Sequence, residues 1–207
     1  MPAIQDPPAG EPPPVNDNTY EAMAWTLSAH EARPGHELQF SAMLESGVSD
    51  ARVLFAFNSV NVEGWALYAE AEVKPFLPLE GQFIGLQMRL WRAARMFIDP
   101  MLNTGKISVE EARRIMLDDV VMTPGSVASE LDRYTFQIPG QATAYFYGYR
   151  KLMELRAATE LMLGDRFDRQ AYHDFVLAQG LLPPALRAKA VREEFVPSQL
   201  AAGEDPL

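Results

Sequence analysis

Through most of this chain the apolar positions recur three or four residues apart, the spacing of one helix face rather than the alternation of a strand. Asn18 with Glu21 three residues on makes a capping-box start. Ala22, Trp25, Leu27 and Ala29 then predict a first helix that ends by delivering His30 and Glu31. Pro34-Gly35 breaks it, and a second helix is predicted over 36–46 (Leu38, Met43, Leu44), stopping at Gly47. Residues 51–58, Ala-Arg-Val-Leu-Phe-Ala-Phe-Asn, are rich in aromatic and branched groups and are the best strand candidate. A helix over 61–70 runs out near Lys74-Pro75. Residues 80–98 predict a long helix with Leu86, Leu90, Ala94 and Phe97 as its core stripe and Arg89, Arg92 and Arg95 on a solvated one. Asp99-Pro100 is its expected stop. Further helices are predicted from Ser108 to about Asp119, Pro124 to Tyr134, Gln141 to Leu163, Asp168 to Gln179, and from Pro183-Pro184 onward. The expected fold is mainly α, with at most a short strand or hairpin.

Residues 1–17 read differently. Six of the sixteen prolines fall here with almost no large apolar group, so the segment cannot bury enough surface to offset its ordering entropy. It is expected to be a disordered tail, with one domain over 18–207, a length sufficient for a sizeable core.

Charge and composition narrow the function. A net charge of −10 argues against a nucleic-acid or anionic-membrane binder, because phosphate contact needs a basic field. No apolar run reaches the ~18 residues of a membrane span, and the N-terminus lacks the charged-then-apolar pattern of a signal peptide. A soluble chain is expected, with its compartment open. Zero cysteines exclude disulfides and thiolate metal sites, leaving His, Asp and Glu as ligands.

Two of the three histidines flank a Glu-containing turn: His30-Glu31-Ala-Arg-Pro34-Gly35-His36-Glu37. A His-Glu pair followed by a second His is how zinc hydrolases present two ligands and a base. Here the histidines are six apart, about 240° round an ideal helix and about 9 Å along it, so an unbroken helix could not aim both at one ion. Pro34 lacks the N–H that would bond the His30 carbonyl, and Gly35 opens torsions closed to other residues, so the break could bulge the chain and return His36 to the metal. Glu63, heading a helix some thirty residues on, is the candidate third ligand. Glu70 shares its face and could orient a ligand histidine. The plain alternative is two polar histidines at a helix break.

The motif resembles the His-Glu-x-x-Pro-Gly-His signature of the bacterial "domain of unknown function 885" family. Further ordered blocks are similar to that family's: Glu63-Gly64-Trp65-Ala66-Leu67-Tyr68-Ala69-Glu70, Leu90-Trp91-Arg92-Ala93-Ala94-Arg95 with Asp99, Arg133-Tyr134 with Pro139-Gly140-Gln141-Ala142 and Tyr145, and Leu163-Gly164-Asp165 through Phe167-Asp168, His173-Asp174 and Gly180 to Pro183. The resemblance implies a zincin-like, mostly helical metallohydrolase domain. Its zinc would be held by His30, His36 and Glu63, with Glu31 as general base. Tyr145 and His173, each in a matching block, are the candidate donors to the oxyanion, beside plainer roles in core packing.

Three departures stand out. Family members are typically much longer, and the similar region is their C-terminal part. Many carry a second His where this chain has Glu37. The Asp99 block continues Pro100-Met101-Leu102-Asn103 rather than with a Gly-Leu-His-like ending. The expected activity is a zinc metallopeptidase on peptides or small amides. The alternatives are a zinc amidase on a non-peptide amide and a catalytically silent helical domain. The partner implied besides substrate is a missing N-terminal helical portion or a second chain.

Overall fold

A computed structural model describes residues 21–201. The expected tail and the Asn18 cap lie outside them. The described residues form eleven helices: α1 (Glu21–Glu31), α2 (His36–Glu45), α3 (Asp50–Phe55), α4 (Ser59–Val73), α5 (Leu79–Asn103), α6 (Val109–Arg114), α7 (Pro124–Asp132), α8 (Thr143–Leu163), α9 (Arg169–Ala178), α10 (Pro184–Ala190) and α11 (Val196–Ala201). Wider π turns continue α6 (Ile115–Asp119), α7 (Arg133–Gln137) and α10 (Val191–Phe195). The fold is all-α. No helix among the described residues is long and apolar enough to cross a membrane.

The axis of the fold is α4, in which every residue from Asn61 to Glu70 except Glu63 is buried. Asn58 caps it, its side chain accepting from the Asn61 N–H. Helix α8 runs beside it in the same direction, with Gln141 reaching Ser59, Gly148 against Gly64 and Arg156 on Tyr68. The crossing is closer than side chains permit. A Cβ on Gly148 would stand 2.0 Å from the Val60 carbonyl oxygen, and one on Gly64 would stand 2.5 Å from the Gly148 backbone. Around this pair lie three apolar clusters. The largest joins Trp65 and Tyr68 to Leu152, Leu155, Tyr172 and Phe195. A second gathers Ile98, Met116, Val127, Leu131 and Tyr134 at the far end of α5, and a small third holds Met43, Val62 and Leu181.

The structure corrects the sequence reading in three places. Residues 51–58 are not a strand: 50–55 are helix α3, and Leu54, Phe55 and Phe57 are exposed. A strand must pair its backbone with another, and no other strand exists among the described residues, whereas a helix satisfies its groups locally. Helix α5 does not stop at Asp99-Pro100 but continues to Asn103 with Pro100 inside it. Asp99 instead accepts from the backbone N–H groups of Gly140 and Ala142, fixing the start of α8 against α5. The third correction is an inversion. Leu86, Leu90 and Phe97 are exposed, while Arg92 and Arg95 are 5% and 4% exposed. The interior facing α5 offers carboxylates: Glu70 pairs with Arg92 and Glu130 with Arg95. Buried acids of this kind require cations, which aliphatic side chains cannot replace.

Candidate metal centre

The last turn of α1 buries His30, 4% exposed, and the chain then folds back on itself. Gly35 makes that return possible, because a Cβ there would stand 1.8 Å from the His30 carbonyl oxygen. Helix α2 begins at once with His36. The Trp65 indole N–H donates to the carbonyls of Pro34 (2.9 Å) and Gly35 (3.3 Å), stapling the turn to α4. A second tie runs from Gln39 through Asn61 to the Leu182 carbonyl. The break therefore does what an unbroken helix could not, and brings the two imidazoles edge to face at 4.8 Å.

Glu63 and Glu70, two turns apart on α4, meet these histidines. Glu63 Oε2 lies 3.5 Å from His30 Nε2 and 3.6 Å from His36 Nε2, and the three candidate ligand atoms lie within 4.8 Å of one another. Bonds of about 2.0–2.2 Å at tetrahedral angles put neighbouring ligands about 3.3–3.6 Å apart, a spacing that both Glu63–histidine separations match for a zinc-sized ion. The donor chemistry agrees. Glu63 Oε2 and His36 Nδ1 are buried without a hydrogen-bond partner. His30 Nδ1 donates to Glu70 Oε1 at 2.7 Å, which leaves Nε2 as the free lone pair. Arg92 donates to the same Glu70 oxygen at 3.2 Å.

Electrostatics hold the acid ionised. Burial pushes the Glu63 carboxyl up, but the imidazoles of His30 and His36 beside it outweigh that and hold Glu63 far below the usual carboxylate range. Burial likewise pulls His30 down, and the neighbouring carboxylates of Glu63 and Glu70 overcome it and raise it. A metal dication would take over the role of that extra proton.

Tyr145 belongs to the same site. Its ring stacks on His30 at 6.3 Å, and its hydroxyl helps hold the Glu63 carboxyl ionised. Arg133 donates to that hydroxyl at 3.1 Å, and the Arg95 guanidinium lies 3.7 Å from the ring centroid. Glu31 is the last residue of α1, exposed and next to His30. Glu37 is exposed and occupied by Arg33 and Ser41, so it takes no part in the triad.

His173 stands elsewhere. It lines a cleft of about 750 Å³ between α2, α4 and α9, with Leu38, Trp65, Tyr68 and Leu177. Trp65, Tyr68, Ala69 and Glu72 form the face of α4 opposite Glu63 and Glu70, so this cleft lies across the helix from the triad. There His173 Nε2 accepts from the Tyr68 hydroxyl at 2.6 Å.

Sequence reasoning missed Arg133 as the partner of Tyr145 and Arg92 as the partner of Glu70. Both sit in the blocks quoted above, but nothing in their spacing distinguishes a buried arginine from a solvated one.

No curated protein matches the chain. Among solved structures, it is similar to a candidate lipoprotein from Colwellia psychrerythraea, at 31% identity over 84% of this chain and a TM-score of 0.77. It is also similar to a candidate lipoprotein of unknown function from Shewanella oneidensis, at 26% identity over 83% of this chain and a TM-score of 0.76. The chain spans only 30% and 32% of those two proteins. Residues 12–191 match the family described as "Bacterial protein of unknown function (DUF885)", and with most of its length matched this chain belongs to that family.

Proposed function

We propose that this chain is a zinc-dependent hydrolase domain that cleaves peptide or small amide bonds. The observation that carries the reading is the convergence of His30, His36 and Glu63, with His30 fixed in one tautomer by Glu70. Those three residues would hold zinc in the open arrangement of a catalytic site, in which three protein ligands leave one position free. When bound, zinc supplies acidity to water and polarises a carbonyl. Glu31, beside His30, takes a proton from the attacking water and returns it to the leaving nitrogen. Tyr145 donates its O–H to the developing oxyanion, with Arg133 bonding the same oxygen from behind. The family resemblance favours a peptide bond over other amides. That two solved relatives are candidate lipoproteins supports an exported setting. The exposed apolar stripe of α5 favours a second reading, a silent domain that serves a partner.

Metal analysis and a peptidase assay separate these. The purified chain is expected to carry about one zinc, lost in His30→Ala and Glu63→Ala. Glu31→Gln should retain zinc while hydrolysis falls by at least about 100-fold. A folded wild type that takes up no zinc sinks the hydrolase reading. Zinc uptake without hydrolysis of any peptide leaves the silent domain.

A further inference from the structure

Arg187, on α10, is 1% exposed, yet none of its three guanidinium nitrogens has a hydrogen-bond partner. It shares a helix face with Val191, four residues on, which is fully buried in the cluster of Leu152, Leu155, Tyr172 and Phe195. The cation therefore lies against an apolar core. The Tyr172 hydroxyl is also buried and without a partner. Burial pulls the guanidinium down to about 10, opposed by Tyr172, so it remains charged at neutral pH. No carboxylate among the described residues compensates it. Glu160, the acid that acts on Tyr172, is held by Arg156 at 2.7 Å. A buried cation with no counter-ion is among the costliest arrangements a core can hold.

We propose that Arg187 and the Tyr172 hydroxyl form an internal binding site for a small monovalent anion, either a halide or a carboxylate. The guanidinium presents a planar fork of donors and the phenol adds one more, a set that matches a carboxylate bidentately or surrounds a chloride. Dianions such as sulfate are disfavoured, because stripping two charges of water costs far more than one cation returns. The site is separate from the metal centre. Tyr172 lies next to His173, in the part of the molecule across α4 from the triad. An anion there ties α10 to α9, two elements joined by only a short connection.

The test is thermal unfolding after exhaustive dialysis into sodium methanesulfonate. Chloride, and separately acetate, replaces methanesulfonate at constant ionic strength. The wild type should gain roughly 3–6 °C when the binding ion exceeds its Kd about tenfold, and the gain should go on rising with the logarithm of ion concentration. Tyr172→Phe should need several-fold more ion for the same gain. Arg187→Met should show no ion response, with an ion-free midpoint at or above that of the wild type, since a buried charge has been removed. A response to chloride alone assigns a halide, and one to acetate alone or more strongly assigns a carboxylate. Should Arg187→Met not fold, chlorine-35 line broadening on the wild type and on Tyr172→Phe gives an independent reading. Equal ion responses in wild type and the Arg187 or Tyr172 variants, or none in the wild type, overturn the proposal.

Discussion

His173 shows how a single side chain can be recognised as special in the sequence and still be placed by its neighbours rather than by its motif. Arg156 donates to the Tyr68 hydroxyl at 3.1 Å, so the phenol's own proton is directed to His173 Nε2. That nitrogen must then be unprotonated. Burial, with the charges of Arg169 and Arg156, pushes the ring down to about 4. In the unfolded chain the same imidazole takes a proton near pH ~6.5. Above that pH both states are neutral and the residue is silent. Below it the unfolded state binds the proton first, so stability is lost as pH falls from about 6.5 towards 4. Thermal midpoints of wild type and His173→Gln between pH 8 and 4.5 check this. Glutamine can accept the Tyr68 bond but does not titrate, so the variant's midpoint should fall less steeply below about 6.5. Parallel curves would mean that His173 titrates alike in both states.

Between helices, the centre rests on a backbone contact. Glu63 immediately precedes Gly64, and Tyr145 lies three residues before Gly148, so the glycine crossing of α4 and α8 sets how near the carboxylate and phenol come. Gly148→Ala places a methyl 2.0 Å from the Val60 carbonyl oxygen, which cannot give way as a side chain could. The helices must part, at a cost of about 3 kcal/mol or more, and zinc uptake should weaken with them. Gly125→Ala on α7 meets nothing within 4 Å and should leave stability unchanged or slightly improved. Denaturant midpoints compare the two, and equal effects would remove the crossing from the argument. This contact also marks the limit of what could be read from the chain. The seven-residue spacing of Glu63 and Glu70 and the Pro34-Gly35 break are local, and both features appear in the structure as their spacing implied. Gly64 and Gly148 are 84 positions apart and look like any other isolated glycines. The Arg92 and Arg95 stripe misled for the same reason, because its burial depends on Glu70 and Glu130, which only the folded chain brings near. Residues 51–58 have strand-like composition but no partner strand, which no local pattern reveals.

For the whole molecule, the inversion of α5 sets an expectation about its surface. Leu79, Phe83, Leu86, Leu90 and Phe97 follow one another at spacings of four, three, four and seven residues, and all are exposed. They make an apolar stripe from Leu79 to Phe97 along the 25-residue helix, with exposed Trp25 lying against its beginning at Gly81. A stripe of this extent exceeds the scattered apolar residues of an ordinary surface. The chain alone should therefore bind a hydrophobic dye such as ANS and self-associate as its concentration rises. Phe83→Glu combined with Leu90→Glu should suppress both while changing stability by less than about 1 kcal/mol, because neither side chain fills the core. Ile98→Ala, on the buried side of the same helix and 3% exposed, should cost about 2–5 kcal/mol and leave dye binding by the folded protein unchanged. Sedimentation velocity, dye titration and urea denaturation distinguish the two sides. A double glutamate variant that unfolds would place the stripe inside the core after all. One that folds but still associates would move the sticky surface to another face of the molecule.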